Sequence, residues 1–213
     1  MRHLILSTLL AMASLLVLTP DAEAHSRHNR GVAVQESTIA TPSVGYKAPE
    51  PHTLGGAFEL VDHTGRSVTQ ASWPGKTSVL YFGFAGCCES CPIALDSLSR
   101  ALELMGADAE KIQPLFVDID MEGPDLKALS QFVSNFDPRI VGLTGSHKQI
   151  FHMLRLYKVR REYGHGGMGK KETGPRIDHT TYLFVVGADG VCKSYFYHNL
   201  TPEKMAEAIR KSM

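Results

Sequence analysis

Tyr81-Phe82-Gly83-Phe84-Ala85-Gly86-Cys87-Cys88-Glu89-Ser90-Cys91-Pro92 is the stretch on which the fold of this chain turns. Just upstream and into it, Val79 to Phe84 is an apolar run rich in aromatic and β-branched residues and reads as a buried strand. Downstream, Leu95, Leu98, Ala101, Leu102 and Met105 recur at helical spacing within the segment Ile93 to Met105. Three of the chain's four cysteines therefore sit at a strand-to-helix turn. Unsatisfied backbone N–H groups and the positive dipole end at a helix start favour thiolate over thiol, and thiolate is both the nucleophile and the metal ligand. Packing alone is a poor reason for so many thiols beside a helix start.

Two registers share Cys91: Cys87 with Cys91 is C-x-x-x-C, and Cys88 with Cys91 is C-x-x-C. Residues three or four apart on a helical turn face the same side, so either pair could chelate a metal or close a disulfide. Spacing does not choose between them. The flanking residues do add a resemblance: Y-F-G-F-x-x-C-x-x-x-C-P is similar to the signature of the Sco/SenC family, the copper-binding assembly factors for the CuA site of cytochrome c oxidase. That resemblance implies Cys87 and Cys91 as the working pair, with Cys88 an extra thiol.

The N-terminus reads as an export signal. Met1-Arg2-His3 is basic, Leu4 to Leu18 is apolar apart from Ser and Thr, and Ala22-Glu23-Ala24 supplies an A-x-A cleavage site. The apolar run is short for a membrane span, and retention as an N-terminal anchor is the alternative, which the resemblance favours. Residues 25–51 are polar without a sustained period and are expected to form a flexible leader. Its opening His25-Ser26-Arg27-His28 could hold copper through a new amino group and the His25 imidazole; a disordered polar terminus is the plainer reading. The expected domain is 52–213. Zero formal net charge and the lack of a basic block argue against nucleic acid and against electrostatic docking to anionic lipid. Export to a periplasmic or otherwise extracytoplasmic space would push close thiols toward disulfide, so copper loading would need a thiol reductant.

Further along, Phe58-Glu59-Leu60-Val61-Asp62 and Ser67-Val68-Thr69 flank a turn and predict a hairpin. Ile112 to Val117 reads as a strand, Asp125 to Asn135 as an amphipathic helix, and Ile140 to Leu143 as a strand. Ser146-His147-Lys148-Gln149 has the form of a capping box opening a helix through Leu156. Thr180 to Val186 and Val191 to Tyr197 predict a hairpin around Ala188-Asp189-Gly190, and Thr201-Pro202 opens a last helix. Strands alternating with helices imply an α/β fold with a parallel-containing sheet covered on both faces. The order agrees with what the resemblance implies, a thioredoxin-like fold with an N-terminal hairpin and an inserted β-α unit.

Two thiolates hold Cu(I), and a third soft or borderline ligand is needed for a site that also tolerates Cu(II). The candidate is His179 in Asp178-His179-Thr180-Thr181-Tyr182, which is similar to the family's D-H-[ST] motif whose His completes the copper site; Asp178 could orient the imidazole. The family's V-D-P stretch is represented by Val117-Asp118-Ile119-Asp120 without the proline, and Asp118 and Asp120 read most simply as solvated loop carboxylates. The glycine-rich segment 162–174 reads as an exposed loop, in which His165 and Met168 are copper-compatible donors for a hand-over role. Cys192 reads as a small buried thiol, with a disulfide to Cys88 as the sharper alternative.

Two functions follow. One is a metallochaperone that binds one copper ion through Cys87, Cys91 and His179 and passes it by ligand exchange to a copper enzyme such as cytochrome oxidase. The other is an extracytoplasmic thiol-disulfide oxidoreductase in which Cys87 and Cys91 are the redox pair. Against the second, Gly86 and Cys87 stand where a thioredoxin has its Trp. A peroxidase is weaker still, because Phe84 or Cys88 occupies the place of the hydroxyl residue in the peroxiredoxin context.

Overall fold

The computed structural model describes residues 48–87, 89–121, 125–163 and 177–213. The signal expected over 1–24 and almost all of the leader expected over 25–51 lie outside the described residues, as do Cys88, His165 and Met168.

Alternation in the central strand decides how the layers form. In β3 (Thr77–Gly83), Val79 and Tyr81 point into one apolar cluster, whereas Leu80 and Phe82 point into the other. A strand buried on both faces must lie in the middle of a covered sheet. The seven-stranded sheet has the order β2-β1-β5-β4-β3-β8-β9, formed with β1 (Glu59–Asp62), β2 (Ser67–Thr69), β4 (Ile112–Asp118), β5 (Val141–Thr144), β8 (Tyr182–Val186) and β9 (Cys192–Tyr197). β3, β4 and β5 run parallel, while β1, β2, β8 and β9 join by antiparallel pairs.

Three helices cover the Val79 and Tyr81 face. These are α1 (Ser90–Met105), which buries Cys91, Ala94, Leu95, Leu98, Ala101, Leu102 and Met105, α2 (Leu126–Val133) through Leu129 and Val133, and α4 (Pro202–Lys211) through Met205, Ala206 and Ile209. The other face is covered by α3 (His147–Leu156), through Ile150, Met153 and Leu154. Local signals set the helix boundaries. Ser146 and Gln149 form the reciprocal capping box. Thr201 caps α4 with Pro202 in its first turn, and Asp125 accepts from the Ala128 amide at the start of α2.

The mixed α/β sheet and the hairpins agree with expectation, with two differences. α1 begins at Ser90 rather than Ile93, which places Cys91 inside the first helical turn. The segment ahead of His179, expected as loop, opens and closes with paired strands: β6 (Arg161–Tyr163) and β7 (Ile177–His179) form a separate antiparallel ribbon. Among the described residues no helix is long and apolar enough to cross a membrane.

Candidate metal centre

The turn after β3 places two sulfurs against one another because strand and helix meet there with very little intervening chain. Cys87 lies in the loop, partly exposed, and Cys91 is fully buried in the first turn of α1. Both are free thiols. The Cys91 thiol donates to Cys87, and the amides of Cys91 and Glu89 and the Ser90 hydroxyl do the same, so the Cys87 thiol is held down to about 4 against the cost of burial. The Ser90 oxygen stands 3.8 Å from the Cys87 sulfur. The charge on Cys87 and the proton that Cys91 must keep to donate, together with burial, push the Cys91 thiol up. At neutral pH the pair is therefore one thiolate sharing one proton with one thiol.

Aromatic residues line the pair. Tyr81, on the same strand, is buried with its hydroxyl lacking a well-formed hydrogen bond, and burial and the nearby sulfurs push that phenol up. Against Tyr81 and Phe84 packs the ring of His179, with centroids 6.3 and 6.4 Å away and both contacts edge-on. β7 thus brings the imidazole to the rim of the sheet where the cysteine turn lies. Its Nδ1 donates to the Thr180 carbonyl at 3.0 Å, so that in the neutral imidazole Nε2 is the nitrogen with a lone pair for a metal. The three expected ligands share this rim but do not yet form a closed cluster: among the described residues, no three His, Cys, Asp or Glu side chains converge to hold an ion. The donor chemistry, two sulfurs and an imidazole nitrogen, fits copper.

Two further residues belong to this rim. Asp118, read from the sequence as a solvated loop carboxylate, is instead buried at the end of β4, paired in register with Gly83. Its carboxylate accepts from the Asp120 amide at 3.0 Å and from the Ala85 amide, tying β4 to the loop that carries Cys87. Burial, with Asp120 and Asp125 nearby, pushes it up to about 6. His198, which sequence reasoning passed over, follows β9 and is half-buried within electrostatic reach of His179 and Cys87. Hairpin register from the turn at 188–190 alone would set residue 198 opposite 180; a bulge between Val185 and Val186 shifts the pairing by one and brings it to 181, which no sequence signal announced. Cys192 is buried as expected, and burial pushes its thiol up to about 11.

Comparison with known proteins agrees with this arrangement. A family model described as SCO1/SenC matches residues 46–213. The human protein SCO2 homolog, mitochondrial, is 31% identical over 160 residues, covering 74% of this chain and 59% of that protein. The chain spans between 56% and 61% of the length of the vertebrate relatives it matches. Among solved structures, Bradyrhizobium japonicum ScoI with copper bound superposes with a TM-score of 0.65 at 31% identity, covering 75% of this chain and 99% of that one. Yeast Sco1 with copper bound gives 0.65 at 28% identity, covering 75% and 87%. With its mixed seven-stranded sheet in the thioredoxin-like arrangement of the Sco structures, this chain belongs to the SCO1/SenC family.

Proposed function

We propose that this protein is an extracytoplasmic copper metallochaperone, with residues 52–213 as its copper-binding domain and residues 1–24 as a signal, cleaved or kept as an anchor. Cys87 and Cys91 supply two thiolates and His179 Nε2 a nitrogen to one copper ion, which is then delivered to a copper enzyme, the CuA site of cytochrome c oxidase. The observation that carries this reading is the Cys87–Cys91 pair with the His179 imidazole, held through Nδ1, on the same rim. Copper held by the solved relatives supports it. Binding releases the shared proton as Cys91 joins Cys87 as thiolate. Because Cys87 is partly exposed, one flank of the ion stays open to a recipient's thiolates, and transfer proceeds by ligand exchange.

Titration of the reduced protein with Cu(I) and Cu(II), read by mass spectrometry, tests this. One ion per chain is expected, with His179→Ala abolishing tight Cu(II) binding and leaving disulfide exchange largely intact. Exchange lost while copper binding persists would overturn the assignment.

A second reading, thiol-disulfide oxidoreductase, is favoured by the asymmetry of the pair. A low-pKa, partly exposed Cys87 is suited to attack, and a buried protonated Cys91 to resolve. The two activities are compatible, since reducing a recipient's copper-site disulfide is itself an assembly step.

A further inference from the structure

The end of β9 brings a second imidazole to the rim. Thr181 accepts at its carbonyl both the His198 amide, at 3.0 Å, and the His198 Nδ1–H, at 3.2 Å. One residue earlier, the Thr180 carbonyl accepts Nδ1–H of His179. Two histidines on either side of the β8–β9 hairpin are thus held by consecutive carbonyls, each through Nδ1, so that the neutral ring presents its lone pair at Nε2. A carbonyl that fixes the tautomer and steadies the ring is the usual outer support of a ligating histidine. His198 is half-buried and lies within electrostatic reach of His179 and Cys87.

The two oxidation states of copper ask for different donor numbers. Two thiolates and one nitrogen suffice for the reduced ion, whereas Cu(II) prefers a tetragonal set richer in nitrogen. We propose that His198 Nε2 is the fourth donor to the oxidised ion, making a site of two sulfurs and two imidazoles, and that the reduced ion is held without it. The inference rests on the copper site of Cys87, Cys91 and His179 proposed above. Since the donors are not drawn together among the described residues, loading brings both rings inward toward the sulfurs.

Pulsed EPR of the full chain loaded with one equivalent of Cu(II) counts coordinated imidazoles without any substitution. Modulation combination lines from two imidazoles are expected. In His198→Gln these should reduce to one, Cu(II) affinity should fall by about tenfold or more, and Cu(I) affinity should hold, with circular dichroism confirming the fold. A one-imidazole spectrum for the unsubstituted chain, or a spectrum and Cu(II) affinity unchanged in His198→Gln, overturns the inference while leaving the three-ligand site standing. Failure of the unsubstituted chain to bind copper overturns both.

Discussion

The sulfur of Cys91 rests on the backbone of Gly83, so close that a Cβ at position 83 would stand 2.6 Å from it and 2.8 Å from the Phe116 ring. Phe116 is fully buried and packed on Phe132, and Cys91 is held in the first turn of α1, so neither neighbour can retreat freely. Gly83→Ala should destabilise the protein by about 1–3 kcal/mol and displace the buried sulfur. Chemical denaturation together with Cu(I) titration checks this; unchanged stability and affinity would show that the contact has slack.

Thiol chemistry should separate the cysteines by pH. Cys87, held down to about 4, should alkylate with iodoacetamide at a nearly constant rate across the neutral range and slow only as pH falls toward that value. Buried Cys91 and Cys192 should stay unmodified in the native protein. Tandem mass spectrometry of the digested protein distinguishes Cys87 from Cys88. A Cys87 rate that climbs through pH 8 to 9 would contradict the shared-proton arrangement.

Asp118 carries a cost at neutral pH. Its folded value of about 6 lies above its ordinary 3.8, so the penalty of its charge is fully present above about 6 and disappears as pH falls toward 4. Asp118→Asn keeps an oxygen to accept the Asp120 and Ala85 amides while losing the charge. The variant should therefore gain stability over the parent above pH 6, with the gain vanishing near pH 4, in denaturation midpoints measured across that window.

Asp62 has the opposite sign. Burial works against its charge, but it accepts from the Thr64 amide and hydroxyl and from the Arg66 amide and guanidinium, and these hold it down to about 2. Stability from this carboxylate is fully present above about 4 and is lost as pH falls toward 2. Asp62→Asn should cost about 2 kcal/mol at neutral pH, and the gap to the parent should close with acidification. A gap that persists at pH 2 would argue for a loss of packing instead.

What was legible from sequence was what is decided locally. The Ser146–Gln149 capping box and the Thr201-Pro202 start each complete their hydrogen bonds within one helical turn, so spacing alone announces them. The unbroken apolar run from Val79 to Phe84 likewise announces a buried strand, and its residues 79 to 82 enter both clusters. The β6–β7 ribbon was missed because its two short strands are separated by a long polar stretch and pair only through tertiary contact. Asp118 was misjudged for the same reason: nothing in Val-Asp-Ile-Asp says that the carboxylate turns inward to the Ala85 amide. Cys87, Cys91 and His179 were singled out by family resemblance, since spacing left Cys88 equally eligible. His198, an ordinary polar residue after a strand, acquires meaning only from the β8–β9 register.

Of the candidate donors only Cys91 belongs to an apolar cluster, at its edge beneath the turn where Cys87 packs against it, while His179 stands at the rim against Tyr81 and Phe84; the rest of both clusters is built from residues that would hold no ion. In a small zinc domain the metal is the core, and emptying it unfolds the chain. Here most of the core would be independent of an ion held at the proposed site. A carrier of the proposed kind, built this way, would return from each delivery still folded, so it could be filled again rather than replaced by new synthesis.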